Sequence, residues 1–363
     1  MKNIYLRIPD NTWDASDLVI ATVTHTEGST PQKPGSSALF NKSGLIAGTI
    51  GGGVLEGKVQ HIAIESLDTK EPVHQVFRLD TSVSDGEDAL CGGKINVLVD
   101  PELARHKHVF EALKRSSKAR IPGVLITLVT YGGNSKILIN RYWATDRDRS
   151  LIPAELKSLI EPEIKDLISG IDSYDFRELK IQQEGRNPSH LLLLEPVIPL
   201  PRLIIAGAGH IGRALSQIGS VLDFEVTVID DRPEFANAEN IPSANHIINE
   251  EIGNAIEKID KGDDTFIVIV TRGHRDDGNA LKACIGSGAA YIGMIGSKTK
   301  VALMHREFTM NGWATEDQWE RIFAPIGLDI SSKTVEEIAV SIAAQLVQVK
   351  NKPRTPHPVP RTF

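Results

Sequence analysis

Cysteine pairs are missing from this sequence. Among its 363 residues there are only two cysteines, Cys91 and Cys284, and they form no C-x-x-C pair. Two distant thiols exclude a disulfide framework, and structural zinc sites built on thiolates need paired cysteines. Such sparse use of cysteine favours a reducing, cytoplasmic environment.

An excess of basic charge and long apolar runs are missing as well. The formal net charge is -7, which argues against a nucleic-acid partner because phosphate binding needs a basic surface. Apolar runs such as FIVIVT (266–271) have the length of a strand and are too short to span a membrane. The N-terminus also lacks the apolar core of a signal peptide. We therefore expect a cytoplasmic protein with neither a nucleic-acid nor a membrane partner.

Alternating strand and helix patterns fill the C-terminal half. Residues 191–201 end in closely spaced prolines and suggest a domain border, so we expect domains over 1–195 and 196–350, followed by a loose, Pro-rich tail over 351–363. The alternation predicts an α/β fold with a Rossmann-like, doubly wound parallel sheet. Thr334 and Glu337 form the capping box of its closing helix.

The N-terminal part reads as a mixed α/β domain. We expect strands over residues 18–26, 37–40, 74–79 and 95–101, a helix over 55–67, and a hairpin of the segments 123–131 and 135–143. The charged region 145–188 is expected to form helices and loops at the surface.

The segment LIIAGAGHIGRAL matches the dinucleotide fingerprint G-x-G-x-x-G at Gly207, Gly209 and Gly212. Asp230 ends the next strand and could accept a hydrogen bond from a ribose hydroxyl, so NAD(P) is a possible ligand. The alternative is a Rossmann scaffold that keeps the turn and binds another ligand or none.

A second glycine cluster, Gly51, Gly52 and Gly53, lies between a strand and a helix. Backbone N–H groups in such a turn can bind an anion, aided by the helix dipole. The alternative interpretation is a tight turn, with Glu56 serving only to cap the helix. Cys91, which precedes Gly92 and Gly93, is a candidate catalytic thiol or a buried small hydrophobe, and we interpret Cys284 as a core residue.

Several blocks together resemble one protein family. THTEGSTPQKPGSSALF, GTIGGGVLEG and LCGGKINVLVD resemble the N-terminal domain of xanthine dehydrogenase accessory proteins of the XdhC/CoxI family. PRLIIAGAGHIGRAL, TRGHRDDGNALKAC and AYIGMIGSKTK look like the Rossmann domain of that family. The blocks occur in the family's order.

This resemblance implies a chaperone that binds the molybdenum cofactor (molybdopterin) and supports its sulfuration together with a cysteine desulfurase. The chaperone then delivers the cofactor to an apo-molybdenum hydroxylase such as xanthine dehydrogenase. The resemblance assigns cofactor binding to the glycine blocks and a sulfur-related role to Cys91. The cofactor-binding residues that it implies are Gly28, Ser29, Lys33, Gly51, Gly52, Gly53 and Glu56. Gln32 stands where the family commonly has arginine, and TRGHRDD, with His274 and Asp277, is shorter than the usual His/Asp cluster.

Two other functions stay open. One is an NAD(P)-dependent oxidoreductase that uses the Rossmann domain, with His274 or Lys298 as the acid-base group. The other is a module whose glycines only make turns. We also expect a homodimer, because a cleft between two modest domains often needs a partner to close it.

Overall fold

The computed structural model describes residues 4–8, 14–79, 92–133, 136–169, 176–181 and 190–351. The chain divides into two compact units, Met1–Pro199 and Leu200–Phe363. The expected domain border after residue 195 falls inside a strand, His190–Val197, that belongs to the first unit. Each unit has hydrophobic clusters of its own.

An antiparallel sheet with the strand order β3-β2-β1-β5-β4 forms the first layer of the N-terminal unit within the described residues. Its strands are β1 (Val19–Glu27), β2 (Ser37–Asn41), β3 (Gly44–Gly48), β4 (Val73–Arg78) and β5 (Lys94–Asp100). Helix α1 (Gly53–Thr69) packs on one face through Leu55, Val59 and Ala63. The central strand β1 is buried on both faces until Val23 and Thr24, and it becomes exposed at Glu27. The sheet therefore places the glycine-rich segment that follows β1 at its rim.

A second antiparallel sheet lies in the same unit, with the order β7-β6-β9-β8. Its strands are β6 (Gly123–Tyr131), β7 (Ile137–Thr145), β8 (Arg177–Ile181) and β9 (His190–Val197), and its helices are α2 (Lys107–Lys118) and α3 (Ala154–Ser169). Short 3-10 helices cover Ile4–Arg7, Ala15–Asp17 and Leu103–His106.

The expectation for the charged segment 145–188 is partly wrong. The segment contains a helix, α3, as expected, but it also contains strand β8, and α3 buries Ile160, Ile164 and Leu167. The run LLLLEPV, which precedes the closely spaced prolines, is a strand of this sheet, and its four consecutive leucines are buried between two layers.

A parallel sheet with the order β12-β11-β10-β13-β14 forms the C-terminal unit. Its strands are β10 (Arg202–Ala206), β11 (Glu225–Ile229), β12 (His246–Ile248), β13 (Thr265–Ile269) and β14 (Tyr291–Met294). The accompanying helices are α4 (His210–Val221), α5 (Ile252–Lys258), α6 (His274–Lys282), α7 (Lys298–Met310), α8 (Glu316–Glu320) and α9 (Val335–Lys350). The predicted capping box of Thr334 and Glu337 at the start of α9 is confirmed.

The order in which strands are added to this sheet reverses at its first strand, β10. Strand β10 pairs with β11 on one side and with β13 on the other. Hydrophobic clusters cover both faces, which is why the strands read as continuous apolar runs. The carboxyl ends of β10 and β13 therefore form the crevice in which doubly wound sheets bind their ligands.

Candidate functional site

Three of the predicted sequence blocks meet in the N-terminal unit. Glu27 at the end of β1 pairs with Lys94 at the start of β5, so the segments beyond these two residues lie side by side. A Cβ atom added to Gly93 would come within 2.3 Å of the Ser29 carbonyl oxygen, which shows how closely these backbones approach. Gly28 faces Gly93 and has a φ of +71°, a conformation that favours glycine.

The triple glycine adjoins the same segment. Gly51 has a φ of +131°, and a Cβ atom added there would lie 2.6 Å from Cγ of Pro31. The Gly-Ser block (28–35) therefore contacts both the Cys-Gly-Gly block, through Gly93, and the triple glycine, through Pro31. Sequence order alone does not show this proximity, which depends on the pairing of β1 with β5.

Gly52 and Gly53 leave an open concave turn before helix α1. Both have positive φ, +73° and +55°, and a Cβ atom added to either would meet no atom within 4 Å. Among the described residues, no group accepts a hydrogen bond from the N–H of Gly52, Gly53 or Val54. Consecutive free N–H groups at a helix N-terminus are suited to an anion, and the absent side chains let it approach.

Glu56 holds this turn from the first turn of the helix. Its Oε2 accepts hydrogen bonds from Oγ1 of Thr49 (2.7 Å) and from the N–H of Ile50 (3.0 Å). Oγ1 of Thr49 in turn accepts from the N–H of Gly51 (3.1 Å). The carboxylate is thus committed to the loop itself and fixes the residues that precede Gly52.

Ser29 and Lys33 are exposed on the segment that adjoins the triple glycine. Neither side chain has a hydrogen bond or ion pair with the described residues. Lys94 is different, because its ammonium group binds Glu27 (2.9 Å), and this contact holds the pKa of Glu27 below its usual value. Lys33 is therefore a cation of this region that is available to a ligand.

The structure describes only one of the two cysteines. Cys91 lies outside the described residues, so its role stays a prediction. Cys284 is 1% exposed, and burial raises the pKa of its thiol to about 12, so the interpretation of Cys284 as a core residue is confirmed.

Histidines near the first site form contacts that the sequence did not reveal. His74 lies between Oγ1 of Thr24 (2.9 Å) and the hydroxyl of Tyr131 (2.6 Å), and burial lowers the pKa of His74. His25 pairs with Glu178 of strand β8 at 3.1 Å. These contacts join the two sheets, and a strand expected to be a loop supplies one partner, so no local pattern could predict them.

The glycines of the C-terminal fingerprint have distinct surroundings. Gly207 has a φ of +116°, and a Cβ atom there would lie 2.5 Å from the Val270 carbonyl oxygen. A Cβ atom on Gly212 would lie 1.9 Å from the Gly207 carbonyl oxygen, whereas one on Gly209 would meet nothing within 4 Å. Gly207 and Gly212 are thus required by packing within the turn, and Gly209 alone leaves an open approach to the N-terminus of α4.

Asp230 is committed to its own chain. Its carboxylate accepts from the N–H of Ala208 (2.8 Å) and, through three groups, from Arg232: the backbone N–H (3.1 Å), Nε (2.8 Å) and Nη2 (2.9 Å). Burial alone would raise the pKa of Asp230, but these hydrogen bonds hold it below its usual value. A carboxylate has about four acceptor positions, so a ribose hydroxyl would have to displace Arg232.

The candidate acid-base residues of the C-terminal unit have separate partners. Asp277 is fully buried and accepts from Thr271 (2.6 Å) and from the ammonium group of Lys300, and burial raises the pKa of Asp277. His274 instead contacts Glu307 (3.1 Å). The basic partner of Asp277 is thus Lys300, which the sequence alone did not single out. No group of three or more His, Cys, Asp or Glu side chains within the described ranges could hold a metal ion.

The two units together define a class of protein: an antiparallel α/β unit with a glycine-rich loop, joined to a Rossmann unit. Residues 14–80 match the family described as "XdhC and CoxI family", and residues 203–346 match the "XdhC Rossmann domain". These matches span more than half of the chain, which belongs to the XdhC family.

Individual relatives agree with this assignment. The chain is 25% identical to a protein of Bacillus subtilis (strain 168) described as a probable xanthine dehydrogenase subunit, over 93% of this chain and 95% of that protein. A crystal structure described as a xanthine dehydrogenase from Bacillus halodurans is 25% identical, with a TM-score of 0.68 and coverage of 95% and 94%. The uncharacterized Escherichia coli (strain K12) protein YqeB is 37% identical over 42% of this chain, and that match spans only 28% of YqeB.

No helix in the part of the chain that the structure describes is long and apolar enough to cross a membrane.

Proposed function

We propose that this protein is an accessory factor that binds the molybdenum cofactor and delivers it to an apo-molybdenum hydroxylase such as xanthine dehydrogenase. The observation that carries the proposal is the open turn at Gly52 and Gly53, which adjoins the Gly-Ser block, and that block in turn contacts Gly93 of the Cys-Gly-Gly block. The phosphate of a pterin cofactor would suit the N–H groups of this turn, and Lys33 would add a positive charge. The membership of the XdhC family supports the same direction.

The residues of this chain would have separate roles in holding the cofactor. Gly52, Gly53 and Val54 would bind the anionic group, Glu56 would keep the turn in place, and Ser29 and Lys33 would orient the cargo. The cargo would supply the molybdenum centre, at which sulfido would replace a terminal oxo ligand that leaves as water. We propose that a cysteine desulfurase supplies the sulfur as a persulfide, that a thiol reductant supplies the two electrons that convert it to sulfido, and that Cys91 takes part as a soft thiolate.

The Rossmann unit supports a dehydrogenase function less well. Gly209 leaves room for a dinucleotide, but Asp230 already accepts four hydrogen bonds from its own chain. We therefore propose cofactor delivery as the function and treat NAD(P) binding as a separate property to be measured.

Delivery is tested by reconstitution. The protein is purified from a molybdenum-replete host, mixed with apo-xanthine dehydrogenase, and the regain of xanthine oxidation is measured with and without a cysteine desulfurase. We expect activation that depends on the desulfurase and falls at least tenfold in Cys91→Ala. If Cys91→Ala activates the enzyme as well as a Cys284→Ala control does, Cys91 has no part in the proposed function. Absence of activation by the wild type would contradict delivery.

A further inference from the structure

An open cleft of about 540 Å³ runs along helix α1 on the side of the edge strand β4. Its lining residues are Val54, Gly57, Lys58, His61 and Ile62 from the helix, and Gln75 and Phe77 from the strand. The volume lies in the range of small-molecule sites, which are mostly apolar with a few polar groups.

The cleft begins where the glycine loop ends. Val54 follows Gly53 at the start of the helix, is 47% exposed, and lines the cleft while its N–H faces the open turn. A ligand with an anionic group at Gly52 and Gly53 could therefore extend its remaining part past Val54 into the cleft.

Gly57 forms the floor of the cleft within the helix. A Cβ atom added there would meet nothing within 4 Å, and the φ of Gly57 is not in the left-handed region, so packing within the described residues does not require glycine. Glycine inside a helix is unfavourable relative to alanine. The absent side chain leaves room for a flat ligand to approach the helix closely at this position.

The ionisable residues that line the cleft within the described part of the chain are both basic. They are Lys58 and His61, and no acidic residue lines the cleft there. A ligand that is both aromatic and anionic matches apolar walls with a basic rim.

We propose that this cleft binds the flat heteroaromatic ring system of an anionic cofactor whose acidic group lies at the glycine loop. The inference rests on the proposed function and specifies how the cargo is held. Gly57 and Phe77 contact the ring faces, and Lys58 and His61 lie beside its polar edge.

The test uses substitutions that fill the cleft with a larger side chain, one from helix α1 and one from strand β4. Gly57→Leu adds a side chain at the floor and improves helix propensity, and Gln75→Trp adds one from strand β4. Val76→Trp is the matched control, since Val76 is the adjacent residue, points to the opposite face of the strand and is 53% exposed. Unfolding midpoints report whether each variant is folded.

The probe is 6-carboxypterin, an aromatic anion whose fluorescence anisotropy reports binding. We expect wild-type protein and Val76→Trp to bind it within twofold of each other, and Gly57→Leu and Gln75→Trp to bind at least tenfold more weakly. Absence of binding to the wild type, or unchanged binding by both filled variants, would overturn the inference.

Pterin carried from the expression host is measured on the same four proteins. If all four proteins carry the same amount of pterin, the cleft does not bind the ring system, and the proposed delivery function is unaffected. Probe binding that the filled variants lose, without any carriage by the wild type, would contradict the delivery function and leave the cleft as a ring-binding site.

Discussion

At the scale of single residues, Glu56 shows how a side chain of helix α1 shapes the glycine-rich turn that precedes the helix. The carboxylate satisfies the N–H of Ile50 and the hydroxyl of Thr49, and Ile50 is fully buried. The open turn of Gly52 and Gly53 therefore depends on a residue from the following helix.

Replacing Glu56 with alanine should expose this dependence. The Ile50 N–H would lose its acceptor, so we expect the free energy of unfolding of the N-terminal unit to fall by about 1–3 kcal/mol in urea titrations. Glu56→Gln keeps an acceptor oxygen and should retain most of that stability. Equal stability of the alanine and glutamine variants would contradict the role assigned to the carboxylate.

The fingerprint glycines give a second residue-scale prediction. Gly212→Ala forces a Cβ atom onto the Gly207 carbonyl oxygen, so we expect a loss of about 3 kcal/mol or more, at the upper end of overpacking costs. Gly209→Ala has open space and a φ of -68°, so its stability should change by less than about 0.5 kcal/mol. Thermal denaturation of both variants measures the contrast, and similar losses would show that the turn adapts.

Glycine roles were partly predictable from the sequence, whereas the state of Asp230 was not. Positive φ and tight turns favour glycine, so the consecutive glycines of the first loop and the spaced glycines of the second mark both loops in the sequence. Two of the four hydrogen bonds of Asp230 come from the side chain of Arg232 and depend on its rotamer, which no spacing rule encodes.

At the scale of elements, the N-terminal 3-10 helix is tied to the second sheet by a buried polar contact. The Tyr5 hydroxyl donates to Oε2 of Glu195 on strand β9 at 2.5 Å. The remaining surface of Glu195 faces a small cavity of about 10 Å³, which Arg141 also lines. Burial raises the pKa of Glu195 to about 7, against the lowering influence of Tyr5 and Arg141.

This raised pKa predicts a pH dependence of stability. Between about pH 4.5 and 7 the folded state keeps the Glu195 proton that the unfolded state releases, so stability should fall as the pH rises through that window, by at most about 1.4 kcal/mol per unit. Glu195→Gln should flatten this part of the curve. Urea titrations at several pH values measure it, and an unchanged slope in Glu195→Gln would contradict the assignment.

The helices and strands were predictable where the chain is apolar and regular, and less so where charges interrupt it. The Rossmann strands and the closing helix stand out by their alternation. Strand β8 was missed because charged residues dominate its sequence, and it is defined by its pairing with β9 rather than by its own residues.

At the scale of the whole molecule, the two units have separate hydrophobic clusters and divide between Pro199 and Leu200. We therefore expect each unit to fold when expressed alone and to unfold cooperatively in urea, followed by circular dichroism. Pterin should be found with Met1–Pro199 and not with Leu200–Phe363. Pterin that requires both units would contradict a site confined to the first.

The oligomeric state is a property of the whole molecule that stays a prediction. We expect a homodimer, and sedimentation equilibrium over a range of protein concentrations measures it directly. A single species with the mass of one chain would contradict this expectation.

The central claim is that the glycine loop holds the cargo, and pterin carried per protein chain tests it most directly. The protein is purified from a molybdenum-replete host, and bound pterin is oxidised to a fluorescent product and quantified for the wild type, Gly53→Val and Gly312→Val. Gly312 is a matched control in the C-terminal unit, with a φ of +67° and open space around it, close to the +55° and open space of Gly53. We predict near-stoichiometric pterin in the wild type and Gly312→Val, and a loss of at least tenfold in folded Gly53→Val. Equal pterin in the two variants, or none in the wild type, would contradict the account.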